Sequence, residues 1–108
     1  MRRLFVDMRQ PIDYTFPVIK TFRNKELSRL WATGKSRIDA RMHKRIIIRL
    51  NTLDRALTIE GLNIQGYDFH ALRGFIPTRY SIHVNGPWCI TFEFLDGHAY
   101  QADFEQYH

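Results

Sequence analysis

Little in this sequence can staple or chelate a fold. The 108 residues contain one cysteine, Cys89, so no internal disulfide can form; that composition fits a reducing cytoplasm. Five histidines, at 43, 70, 83, 98 and 108, fall at no ligand spacing, and no second cysteine joins them. No structural metal is expected. A glycine-rich phosphate loop and a nucleophile elbow are both missing, which sets aside the nucleotide-cradling and α/β-hydrolase classes, and no cofactor is implied. No apolar run approaches the ~20 residues of a membrane helix. Asp7, Arg9 and Gln10 interrupt the basic start MRRLFVDMRQ before a signal core can form. The expectation is a cytoplasmic protein with no membrane partner. Internal repeats and low-complexity stretches are absent too.

What is present is base, and most of it is arginine. The formal net charge is +5, and twelve of the sixteen basic residues are arginine, the side chain suited to gripping phosphate or carboxylate with two bonds. The charge is uneven. Residues 1–60 hold 14 basic and 6 acidic residues, whereas 61–108 hold 2 and 5. A nucleic-acid partner suits the electropositive half, and so does an acidic protein; a solvated helix face would look the same. Aromatics at 14% supply enough bulk for one modest core, and the length is that of one domain.

Residues 1–17 show no clean period and carry two prolines, so they read as an N-terminal extension that packs on the domain or pairs at an edge. VIKTF (18–22) reads as a short strand. Asn24 is placed to cap a helix with Leu27, Leu30 and Trp31 on one face, closed by Gly34. Asp39 is placed to cap a longer helix, where Met42, Ile46, Leu50, Leu53 and Leu57 recur at helical spacing. Arg41, Arg45 and Arg49 form a stripe on another of its faces. Four strands follow, in residues 67–72, 79–85, 88–94 and 99–104, separated by turn-rich pieces. Alternation gives them an apolar face with Tyr80, Ile82, Val84, Trp88, Ile90, Phe92, Phe94, Tyr100, Ala102 and Phe104. The other face carries Arg79, Ser81, His83, Cys89, Thr91, Glu93, Gln101, Asp103 and Glu105. The predicted architecture is α+β in the order β-α-α-β-β-β-β, with both helices on one face of an antiparallel sheet and the polar face free.

His70 leaves the apolar face, Arg73 lies at its strand's exit, and Arg79 opens the next strand. One histidine and two arginines can thus gather at one end of the sheet, although a surface histidine among solvated arginines would leave the same sequence. The chain stops on FEQYH, and chain ends rarely spend aromatic residues unless they pack or do chemistry.

These segments carry a resemblance. VIKTFRNKELSRLWATGK, DFHALRG and YSIHVNGPWCITFEFLDGHAYQADFEQYH resemble the HigB-type toxins of the RelE/ParE superfamily, over residues 18–108. The His-x-Leu-(Lys/Arg)-Gly segment, the Trp-x-Ile-x-Phe strand and the terminal Tyr-His are its most specific parts. The resemblance implies the toxin of a type II toxin–antitoxin system, a ribosome-dependent mRNA endonuclease that needs no metal because the 2′-hydroxyl attacks the adjacent phosphate. It implies as partners a HigA-type helix-turn-helix antitoxin, the ribosome with its mRNA, and operator DNA only through the antitoxin. By the same resemblance His70 serves proton transfer or phosphate orientation, Arg73 meets phosphate charge, and Tyr107 and His108 share in positioning or proton transfer. Arg41, Arg45 and Arg49 would contact ribosomal RNA or dock an acidic antitoxin surface. Two positions depart from the family pattern. Cys89 stands where an arginine follows the tryptophan, and Gln106 stands where an aspartate precedes Tyr-His. Arg79 or His83 is left to bind RNA in place of the missing cation. Failing that, cleavage is slow, or it is lost and the chain persists as an antitoxin-binding co-repressor or as an inhibitor of a protein target such as gyrase.

Overall fold

The computed structural model describes residues 19–107; the expected extension 1–17, Val18 and His108 lie outside them. Two helices come first, α1 (Lys25–Thr33) and α2 (Ala40–Arg55). A 3-10 turn (Ile59–Leu62) and four strands follow, β1 (His70–Leu72), β2 (Arg79–Asn85), β3 (Trp88–Leu95) and β4 (His98–Gln106). The strands pair antiparallel in the order β1-β2-β3-β4, giving the RelE-like α+β arrangement. Among the described residues no helix is long and apolar enough to cross a membrane.

The helices begin and end where their caps stand. The Asn24 side chain accepts the Leu27 N–H at 3.0 Å, and Gly34, at φ +79, closes α1 by donating its N–H to the Leu30 carbonyl. Asp39 accepts the Arg41 N–H at 2.9 Å and starts α2. One stripe of α2 (Met42, Ile46, Leu50 and Leu53) is buried against Leu27 and Leu30 of α1 and against Ile82, Val84, Ile90, Phe92, Ala102 and Phe104 of the sheet. Leu57 does not continue the stripe, as the period predicts, but is 82% exposed. The chain turns extended at Ala56, so the helical phase is lost one residue before it.

The strands depart from the expected pattern at several places, among them a register shift between His83 and Asn85 of β2. Of the strand expected over 18–22, the described residues 19–22 do not form a ladder; Ile19 and Phe22 make isolated parallel bridges to Ala99 and Ala102 of β4. The reason lies in β4 itself. Thr91 pairs with Asp103 but Glu93 pairs with Tyr100, so β4 carries one extra residue there, and Gln101 takes it up at φ +52. The bulge reverses the faces. Ala99 and Ala102 both enter the core, while Tyr100, expected beside Ala102, sits with Glu93 on the opposite face. The strand expected over 67–72 shortens to its last three residues because Asp68 adopts φ +46. Its Tyr67 carbonyl accepts the His83 N–H at 2.6 Å instead.

The polar sheet face is not free along its whole length. Arg79, Ser81, Cys89 and Thr91 are all buried in its centre. Arg79 is 2% exposed, and its guanidinium lies across β2, β3 and β4. It donates to Thr91 Oγ1 at 3.1 Å and to the Gln101 carbonyl at 2.9 Å, and meets Glu93 at 3.5 Å. Thr91 Oγ1 donates onward to Glu105. A charge removed from water persists only when so paired.

Candidate active site

Strand register assembles the site. His70 stands opposite Ser81, Ser81 opposite Thr91, and His83 opposite Cys89, so all five lie on the polar face. A cavity of about 520 Å³ opens over the end of that face. His70, Arg73, Ser81, His83, Cys89 and Tyr107 line it, with Asp68 at the rim. His70, Arg73, His83 and Tyr107, four of the residues expected to serve RNA, are thus brought to one place.

Each is held differently. His70 is exposed, and its Nδ1 meets the Asp68 carbonyl at 2.7 Å. A carbonyl can only accept, so Nδ1 carries the proton and the neutral ring keeps its lone pair on Nε2. The positive φ of Asp68 shares in setting this geometry. His83 makes the converse bond, with Nε2 at 2.8 Å from the Gly86 carbonyl. Tyr107 is fixed by its backbone: its N–H donates to Pro87 at 2.6 Å, and its carbonyl lies 3.6 Å from the Cys89 sulfur. Arg73 is exposed at the β1 exit. His108 lies outside the described residues.

The other expected RNA contacts stand elsewhere. Arg79 does not reach the cavity surface, being buried in the network above. Arg41, Arg45 and Arg49 line a separate groove of about 400 Å³ with Lys44 and Asn85. Arg41 is exposed and ion-paired with Asp39 at 2.6 Å. The bonds from its side chain, then from its backbone N–H, hold the Asp39 carboxyl down at about 2. Arg45 and Arg49 reach across to β2, donating to the Val84 carbonyl at 3.1 Å and the His83 carbonyl at 2.6 Å. Arg49 also lies 4.5 Å over the Tyr67 ring, and burial lowers its pKa. The helix stripe is therefore stitched to the strand that carries His83. Histidine 43 has a local task, its Nε2 meeting the Ile38 carbonyl at 2.6 Å.

Two features escaped sequence reading. Lys44 joins the basic groove but is off the i, i+4 stripe. The Ser81 hydroxyl is buried in the cavity floor with no hydrogen-bond partner among the described residues. Its place between Arg79 and His83 in the alternation was the available signal.

Comparison with known proteins bears on this geometry. The family described as the RelE-like toxin of the type II toxin–antitoxin system HigB matches residues 20–108. The chain belongs to this HigB-like toxin family. A relative from Proteus vulgaris named endoribonuclease HigB is 40% identical over 92 residues, which cover 84% of this chain and 100% of the relative. As a member of a two-component family, this HigB-like toxin has a cognate antitoxin. The matched span takes in both helices, the whole sheet and every residue that lines the cavity.

Proposed function

We propose that this toxin cuts mRNA on the ribosome, by attack of a ribose 2′-hydroxyl on the adjacent phosphate. The convergence of His70, Arg73, His83 and Tyr107 on one cavity supports the reading. The reaction asks for a base, charge at the phosphorane and an acid. His70 Nε2 takes the 2′-hydroxyl proton. O2′ bonds to phosphorus, charge on the non-bridging oxygens meets Arg73, and the P–O5′ bond breaks. The departing O5′ takes a proton from the acid, a part that falls to Tyr107 or His108, leaving a 2′,3′-cyclic phosphate and a free 5′-hydroxyl. No step of this path calls for a metal.

The helix groove suits ribosomal RNA phosphate, and its contribution is electrostatic. Replacing Lys44 or Arg41 with alanine is expected to weaken ribosome binding and to lower the slope of log affinity against log salt by about one each. Titration of toxin onto ribosomes at several salt concentrations measures this, and an unchanged slope removes the groove from the RNA interface. A HigA-type helix-turn-helix antitoxin is the proposed partner, with operator DNA reached only through it.

A second reading draws on Cys89 and buried Arg79, which leave the β3–β4 wall without a guanidinium. In that reading the chain binds its antitoxin, or blocks a protein such as gyrase, without cutting RNA. Incubation with translating ribosomes and a defined message separates the two. Codon-associated cuts are expected from the wild type, stronger cuts from Cys89→Arg, and none from a chain lacking Tyr107 and His108. If neither the wild type nor Cys89→Arg cuts, the endonuclease reading is wrong.

A further inference from the structure

The cavity has two walls of unequal charge. On the β1 side stand His70 and the fixed cation of Arg73. On the β3–β4 side the described lining residues are Cys89 and Tyr107, which bring no cation. Arg79 cannot fill the gap, because its guanidinium is spent on Thr91, Glu93 and the Gln101 carbonyl. A phosphorane spreads its charge over several oxygens, and donors are worth most when fixed around them in advance.

His83 is placed for the uncharged wall. It faces Cys89 directly across the β2–β3 ladder and lines the same cavity. Its ring is oriented by the Gly86 carbonyl at 2.8 Å, which occupies Nε2 and leaves Nδ1 for a ligand. Its main chain is held from both ends, the N–H on the Tyr67 carbonyl and the carbonyl under Arg49 Nε, each at 2.6 Å. Arg49 in turn rests on the Tyr67 ring, so strand end, preceding loop and helix α2 converge on this one residue.

We propose that His83, through Nδ1–H of its imidazolium, supplies the phosphate-charge donor on the wall that Cys89 leaves uncharged, with Arg49 as its positioning residue. The proposal rests on the reading of the cavity as an RNA-cleaving site. It makes positions 83 and 89 alternatives for one charge, delivered from either member of a cross-strand pair.

That exchange is the test. Single-turnover cleavage of a ribosome-bound message is measured for the wild type, Cys89→Arg, His83→Ala and the double variant His83→Ala/Cys89→Arg. His83→Ala is expected to cut about 100-fold more slowly, and the double variant to recover to within about tenfold of the wild type, a rescue that a purely structural histidine would not allow. His83→Gln keeps a donor for the Gly86 carbonyl without the charge, and stands in for His83→Ala if the latter loses its cooperative thermal transition. Wild-type rates in His83→Ala overturn the proposal alone, as does a double variant that stays slow. Absence of cuts from both the wild type and Cys89→Arg overturns the endonuclease reading, and this proposal with it.

Discussion

His70→Ala is expected to slow cleavage of ribosome-bound mRNA by about 10²–10⁴-fold, the span that a positioned acid or base commonly contributes. The unfolding midpoint should stay near that of the wild type. His70 is exposed and takes no part in the core, and among the described residues its ring makes one hydrogen bond, to the Asp68 carbonyl. Little of the fold depends on it, whereas the Nε2 lone pair depends on it entirely. His70→Asn can keep a donor for that carbonyl but supplies no base, and it should be as slow as the alanine variant. Single-turnover rates beside a denaturation curve decide the matter. A variant that cuts at the wild-type rate would move the base elsewhere in the cavity.

Arg79→Ala should do the opposite, striking stability first. Breaking a buried, paired charge costs about 3–5 kcal/mol, a large share of the roughly 5–15 kcal/mol that holds a domain of ordinary stability. The loss comes from what is left behind. Thr91 Oγ1 and the Gln101 carbonyl lose their donor beneath the sheet surface, and Glu93, its side chain 21% exposed, loses its counter-charge. The double variant Arg79→Met/Glu93→Met should regain part of the stability, since apolar side chains of similar volume carry no desolvation cost. Urea denaturation of the single and double variants measures both. A cost under about 1 kcal/mol for Arg79→Ala would mean that the network does not bind the three strands together.

These two residues mark what the sequence could and could not disclose. Alternation places His70 and His83 on the polar face, as the strand register has them, and Arg73 stands at a strand exit, whereas Tyr107 is singled out only by the aromatic chain end and the family resemblance. The helices were legible because Asn24, Gly34 and Asp39 are local signals that need no tertiary partner. Arg79 was misplaced on an open surface because alternation reports a face, not what lies over it, and its burial depends on acceptors from two further strands. The faces of β4 were misread for a different reason. Tyr-Gln-Ala alternates equally well with or without an extra residue, and only pairing with β3 reveals the bulge. The arginine stripe was visible as a periodicity, but its link to the His83 and Val84 carbonyls spans more than thirty positions along the chain, and no local pattern encodes it.

The irregular residue in β4 has a reach out of proportion to its size. Gln101 gives its N–H to the Thr21 hydroxyl at 2.8 Å while its carbonyl receives Arg79 at 2.9 Å. One peptide position thus serves as a rivet between the entering segment, the closing strand and the buried cation of β2. A perfectly regular strand would offer neither group in those directions. Excising that single amino acid would therefore unfasten the molecule at both places in one stroke.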